Sequence, residues 1–379
     1  MTTWWHHYNR FIGETFTEFW KEHLDPERKV LFIVGLGFDP RALQPLGKIM
    51  ACAEESFAKC LAIDFASGFS GDEKSMELRE RNRVGLFSLF PKHLEIRALS
   101  PSDSDGMRSI SRNTIELLSD LDCSKYTDIV VDISSLPRIL YLTILNLILT
   151  KLVRPTEDQP LASGTNLHVI FAESAQVDAR VVKKELEPDL ATIQGLSVRL
   201  DEEFAEAYPK IWIPVLGEGN REALERIYGH VNPADVCPVL PLQTRDARRA
   251  DNIVSDVGDL LFDRFKVDPR DLIYATEDNP FQLYRSLLAA MERYEDSLAE
   301  LGGVRFILSP LSSKGLSVGA LLACFENRAR LKSPDLNVWT GFAYIETKRY
   351  EAGDLTGSEQ GTPVSLWLTG SCYASGSSL

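Results

Sequence analysis

Short apolar runs alternate with stretches of helical period along almost the whole chain, and the alternation runs through twice. Lys29-Val30-Leu31-Phe32-Ile33-Val34 leads into Gly35-Leu36-Gly37-Phe38-Asp39-Pro40-Arg41 and a helical pattern. Lys210-Ile211-Trp212-Ile213-Pro214-Val215 leads into Gly217-Glu218-Gly219-Asn220-Arg221 and another. Later strand candidates match in order: Cys60–Phe65 with Cys237–Leu242, Leu94–Leu99 with Leu272–Glu277, and Ile129–Ile133 with Val304–Leu308. Leu167–Ala172 then matches Val338–Ile345, and Leu196–Leu200 matches Val364–Leu368. The offset drifts only from 181 residues (29 to 210) to 168 (196 to 364), as loop-length changes within a repeated plan would produce. Alternating strands and helices predict an α/β protein of two tandem Rossmann-like domains with mainly parallel sheets, related by a pseudo-two-fold duplication.

Boundaries follow from the same pattern. Trp4, Trp5, Tyr8, Phe11, Ile12, Phe16, Phe19 and Trp20 recur at three- and four-residue spacing, which predicts an amphipathic helix within an N-terminal segment, 1–28. The first Rossmann-like domain is placed at 29–203 and the second at 210–369, with Glu202–Pro209 as linker. The small-residue stretch 370–379 is expected to be a flexible tail.

Composition narrows the function. At 379 residues, 44% hydrophobic and 25% charged, the chain reads as an ordinary soluble globular protein with core enough for two domains. The longest apolar stretch, Ile139–Val153, is too short and too polar for a membrane span. The N-terminus carries no basic region followed by an apolar core, so the expected location is the cytoplasm. Six cysteines without CxxC pairs read as reduced buried thiols, and no cofactor or metal is expected. A net charge of −14 argues against duplex nucleic acid as partner and leaves a small molecule or another protein.

In an open α/β sheet, ligands collect outside the carboxyl ends of the strands, where helix N-termini face the crevice. The loop Gly35–Arg41 lies there. Gly37 permits close backbone approach, Asp39 can cap the next helix and Arg41 can meet an anion, although the third glycine of GxGxxG is replaced by Pro40. The same residues serve a structural turn equally well. A second loop, Asp132-Ile133-Ser134-Ser135-Leu136-Pro137-Arg138, joins a buried strand to a long apolar helix. Ser134 or Ser135 can cap that helix while Arg138 addresses an anion. Ser312, Ser313 and Lys314 stand at the equivalent point of the second half. Solvated capping would need the serines but not a cation in both copies.

The turn Asp132–Arg138 resembles those of the CARF superfamily of Rossmann-like sensor domains, in which the fourth strand ends in Asp-x-Thr/Ser and runs through small residues to a basic one. The glycines common there are absent. Two such domains in tandem are similar to SAVED domains, which bind cyclic oligonucleotides. The resemblance implies a nucleotide sensor of prokaryotic antiviral defence. Those chains usually carry a fused effector, so a separate effector or partner protein is expected here.

Two further readings stay open. One is an enzyme acting on a nucleotide or nucleoside, with Asp132, Ser134 and Arg138 at the scissile bond. The other is an assembly subunit with degenerate clefts. No GxSxG elbow, HxxxH or Walker lysine is present, and His93 and His168 fall in strand candidates as core or surface histidines. That absence tips the balance towards binding.

Overall fold

The computed structural model describes residues 3–52, 57–65, 72–103, 108–178, 180–191, 193–197, 208–242, 248–330, 336–356 and 358–374. In chain order the strands begin with β1 (Arg10–Ile12), β2 (Lys29–Gly35), β3 (Phe57–Asp64), β4 (Leu94–Ala98), β5 (Asp128–Asp132), β6 (Asn166–Glu173) and β7 (Val182–Leu186). They continue with β8 (Lys210–Val215), β9 (Asp235–Val236), β10 (Val239–Leu242), β11 (Ile273–Thr276), β12 (Gly303–Pro310), β13 (Asn337–Phe342), β14 (Thr347–Glu351) and β15 (Thr362–Thr369).

One unit comprises His7–Glu185 and Thr347–Leu379. Its seven-stranded sheet runs β1-β15-β6-β5-β2-β3-β4. β2 to β6 are mutually parallel, in the order 3-2-1-4-5 counted along the chain. Helices Gln44–Met50, Glu73–Leu89, Ile110–Leu117 and Arg138–Leu152 make the crossovers. All five residues of β5 are buried, as befits a central parallel strand covered on both faces. On one face Phe16, Trp20, Phe32, Leu46, Leu86, Val130 and Ile170 form a continuous core.

The other unit comprises Met1–His6 and Leu186–Glu346. Its six-stranded sheet runs β11-β10-β8-β12-β13, with β9 also on β8. Its five path strands are parallel, again in the order 3-2-1-4-5. Helices Arg221–Val231, Arg249–Gly258, Pro280–Ser297 and Lys314–Ala329 connect them. The α/β class with parallel sheets therefore stands, and both sheets have the strand order expected of Rossmann-like domains.

The boundaries do not fall where chain order alone puts them. The second unit ends at Glu346, not at 369. β15 joins the sheet of the first unit, antiparallel to β6 on one side and to β1 on the other. Conversely Ser197, in the strand candidate Leu196–Leu200, makes a parallel bridge to Phe342 of β13. β15 thus joins a sheet that chain order does not assign it to, while Ser197 makes only an isolated bridge to β13. An apolar run specifies a strand but not the edge it joins, so matching by order misassigned β15. Residues 198–200 and most of the linker Glu202–Pro209 lie outside the described residues.

The N-terminal segment is likewise not one helix. Gly13, at φ 63°, separates β1 from the helix Glu14–His23. Met1–His6 belongs to the six-stranded unit, where Trp5 is fully buried against Tyr284 and Phe325 and Trp4 N–H donates to Glu326. In the segment expected to be a tail, Ser371–Tyr373 forms a turn with Cys372 and Tyr373 buried, while 375–379 lie outside the described residues. Among the described residues no helix is long and apolar enough to cross a membrane.

Leu366 is fully buried in β15, opposite Val169 of β6 and Arg10 of β1. Leu366→Ala should cost about 2–5 kcal/mol. Hydrogen exchange should accelerate in β1 and β6. Faster exchange confined to β8–β13 would contradict the placement of β15.

Candidate functional site

In the seven-stranded sheet the order reverses between β2 and β5, so the loops after these strands flank the crevice where α/β sheets receive ligands. They are packed tightly together. A Cβ on Gly37 would sit 2.9 Å from the Ser135 carbonyl oxygen, and one on Gly35 would sit 2.6 Å from Leu136 Cδ2. Ser135 Oγ donates to the Gly35 carbonyl at 2.5 Å. Asn82, on the helix Glu73–Leu89, donates to the carbonyls of Gly37 (2.9 Å) and Asp39 (2.8 Å). The glycines are therefore needed for loop-on-loop contact.

Arg41 does not stand in the crevice as an anion donor. Its side chain is buried. Nε donates to Asp39 Oδ1 at 3.0 Å, and Nη2 donates to Asp39 Oδ2 at 2.7 Å and to Asp178 Oδ1 at 2.5 Å. Nη1 reaches the Ser174 carbonyl at 3.3 Å. Burial opposes the charge, but Asp39 and Asp178 outweigh it and hold the guanidinium's pKa above its ordinary value. Asp39 caps no helix side-on; it also accepts from the Arg41 backbone N–H at 2.9 Å. The bidentate pair with Asp39 braces the β2 loop, and the contacts to Asp178 and the Ser174 carbonyl fasten that loop to the segment after β6.

The β5 turn is also internally bonded. Asp132 Oδ1 accepts from the Ser134 N–H at 2.8 Å, and Ser134 Oγ accepts from the Ala172 N–H of β6 at 3.1 Å. Both residues are buried. Neither Ser134 nor Ser135 caps the following helix: Pro137 occupies that position, without a side-chain cap, and the helix starts at Arg138. Arg138 is half-buried, with Nε 3.4 Å from Tyr141 Oη. Lys183, on the exposed strand β7, lies within range of the Arg138 charge.

The six-stranded sheet repeats the arrangement with different capping. A Cβ on Gly217 would meet the Leu311 carbonyl oxygen at 2.5 Å, and Asn220 Nδ2 donates to that same carbonyl at 2.9 Å. Ser313 caps the helix Lys314–Ala329, its Oγ accepting from the Leu316 N–H at 3.3 Å. Ser312 is buried beside it and Lys314 opens the helix, half-buried.

A third group lies at the amino edge of the seven-stranded sheet, away from any of these loops. Asp128, the first residue of β5, receives His23 Nε2 at 2.7 Å and Asn166 Nδ2 at 2.8 Å on Oδ1. Its Oδ2 receives Thr127 Oγ1 at 2.7 Å and Arg28 Nη1 at 3.2 Å. His168 Nε2 is 3.4 Å from Oδ1. Burial works against the Asp128 charge, yet His168 and His23 outweigh it and hold the carboxyl far below the usual range. Burial also pushes His168 down to about 4, partly offset by Asp128. Trp20, Phe19 and Trp367 surround the His168 ring. His168 is a core histidine as its position suggests. Its partners could not be read from the sequence, because His23 is 105 residues from Asp128 and no short motif links them.

No protein-family model matches the chain, and no curated protein does. Among solved structures, the crystal structure of a "putative universal stress protein" from Pseudomonas aeruginosa UCBPP-PA14 is similar at 9% identity. That match covers 84% of this chain and 94% of the other, with a TM-score of 0.23. A likeness of that size carries no argument, so the fold assignment rests on the two sheets themselves.

Arg41→Ala strands Asp39 in a buried position and should destabilise the seven-stranded unit by about 3–5 kcal/mol. Arg41→Lys should recover little, because an ammonium cannot reproduce the fork. Urea denaturation of the three proteins measures this; equal midpoints would show that the pair holds nothing together.

Proposed function

We propose that this chain binds an anionic small molecule of nucleotide type at the carboxyl edges of its sheets. The observation that carries the reading is the recurrence, at both switch points, of a basic residue as the first residue of the helix after the fourth strand: Arg138 and Lys314. A helix start offers backbone N–H groups and a positive dipole end, and a cation there adds a charge-assisted contact to phosphate. The other polar residues of the turns, Asp132, Ser134 and Ser135, shape the loops from within.

The finer reading is a sensor or regulatory subunit of prokaryotic antiviral defence that acts on a separate effector. It draws on the resemblance of Asp132–Arg138 to CARF turns and on two Rossmann-ordered sheets in one chain. The two sheets are, on this reading, copies of one ancestral plan.

Calorimetric titration with linear and cyclic nucleotides tests the proposal. Arg138→Ala and Lys314→Ala should each weaken binding by about 1.5–3 kcal/mol, roughly 10- to 150-fold, with unchanged thermal melts. Native mass spectrometry of protein from its host should show the bound species. Absence of any nucleotide binding by the wild type would overturn the reading, and conversion of the nucleotide to product would replace the sensor with an enzyme.

A further inference from the structure

The three side chains at the amino edge of the seven-stranded sheet have the composition of a metal site. We propose that His23, Asp128 and His168 bind one divalent transition-metal ion of the zinc class, which fastens the helix Glu14–His23 to β5 and β6. Their donor atoms, one from each residue, all lie within 4.8 Å of one another. Zinc bonds to nitrogen and oxygen are about 2.0–2.2 Å, so donors around one ion stand about 3–4 Å apart. Movements of about 1 Å would complete the set.

A second observation points the same way. His168 is 0% exposed. Its Nε2 meets Asp128 Oδ1 only at 3.4 Å, too long and poorly aligned to satisfy it fully, and its Nδ1 finds no hydrogen-bond partner among the described residues. A buried imidazole so weakly satisfied is destabilising, and an ion shared with Asp128 would satisfy Nε2. The surroundings suit a ligand carboxylate, since Asn166 and Thr127 hold Asp128 as outer-shell donors do. Arg28 is the nearest opposing charge. It approaches both oxygens of Asp128, Oδ2 at 3.2 Å and Oδ1 at 3.4 Å, and shares its guanidinium with Asp25, so an ion at Oδ1 must displace the longer of these contacts. Binding requires His23 Nε2 to give up the proton it now shares with Asp128, either to its own Nδ1 or to solvent. Two imidazoles and a carboxylate, walled by Phe19, Trp20 and Trp367, supply three protein ligands and leave the fourth position of a tetrahedral ion to water.

The test uses the full chain without a histidine tag. Dialysis against zinc and then metal-free buffer, followed by elemental analysis, should leave one zinc per chain, and zinc should raise the melting temperature. Cobalt should give the visible absorption of a low-coordinate nitrogen–oxygen site. His23→Ala and His168→Leu should each abolish both responses, whereas His6→Ala with His7→Ala should retain them. If a ligand variant fails to fold, the wild-type stoichiometry and cobalt spectrum still decide. No retained metal and no cobalt spectrum in the wild type would overturn the proposal. So would metal that persists in both ligand variants or vanishes with His6 and His7.

Discussion

A parallel β-sheet must end somewhere, and the strand at its end presents unpaired backbone groups that water or another strand has to satisfy. That constraint organises the seven-stranded unit. β6 is buried over seven of its eight residues, so its outer edge cannot be left to solvent. The chain meets the requirement by returning at Thr362 to lay β15 along β6, and β1 then covers β15. Buried Ser365 and Trp367 on one side and Val364, Leu366 and Leu368 on the other make β15 an interior strand despite its late place in the sequence. The N-terminal strand and the C-terminal strand therefore complete one sheet, and truncation at either end would reopen an edge.

The same economy governs the polar residues. At the carboxyl edge, Asp39, Arg41, Asp132 and Ser134 look from their sequence like ligand contacts. All four close loops: Asp39 with Arg41 as a buried ion pair, Asp132 by accepting from the Ser134 N–H, and Ser134 by accepting from β6. Glycine, aspartate and serine are the residues that tight strand–helix turns require on conformational grounds alone. Their occurrence in such a turn is therefore weak evidence of a ligand. The basic residues are different, because a turn has no conformational need for Arg138 or Lys314. Burial sharpens the distinction: Arg41 is inside, whereas Arg138 and Lys314 are half-exposed.

Most of the parallel framework was legible because its strands are continuous apolar runs flanked by helical periods. Ile129–Ile133 and Leu167–Ala172 fall within one residue of β5 and β6. What escaped was pairing over long distance. Nothing local in Val364–Leu368 distinguishes a strand that extends its own sheet from one that crosses to another. The His23–Asp128–His168 group escaped for the same reason. Its members sit on a helix end and two strands, and only the folding of the helix Glu14–His23 onto the sheet brings them together. The broken N-terminal helix was nearer to hand, since Gly13 stands in the sequence as a breaker within an otherwise helical period.

The two sheets share a strand order but not the finish of their fourth-strand turns. In the six-stranded unit Ser313 occupies the cap and binds the Leu316 N–H, so one of the helix's first donors is already engaged. In the seven-stranded unit Pro137 takes that place and offers no side-chain acceptor. The equivalent donor there, the Leu140 N–H, bonds instead to the Pro137 carbonyl at 3.0 Å. Each helix therefore has its third N–H engaged, by a hydroxyl in one unit and by a backbone carbonyl in the other. Two turns alike in sequence satisfy the same orphan donor with different acceptors, because proline has no side-chain oxygen to offer and the backbone must close the turn itself.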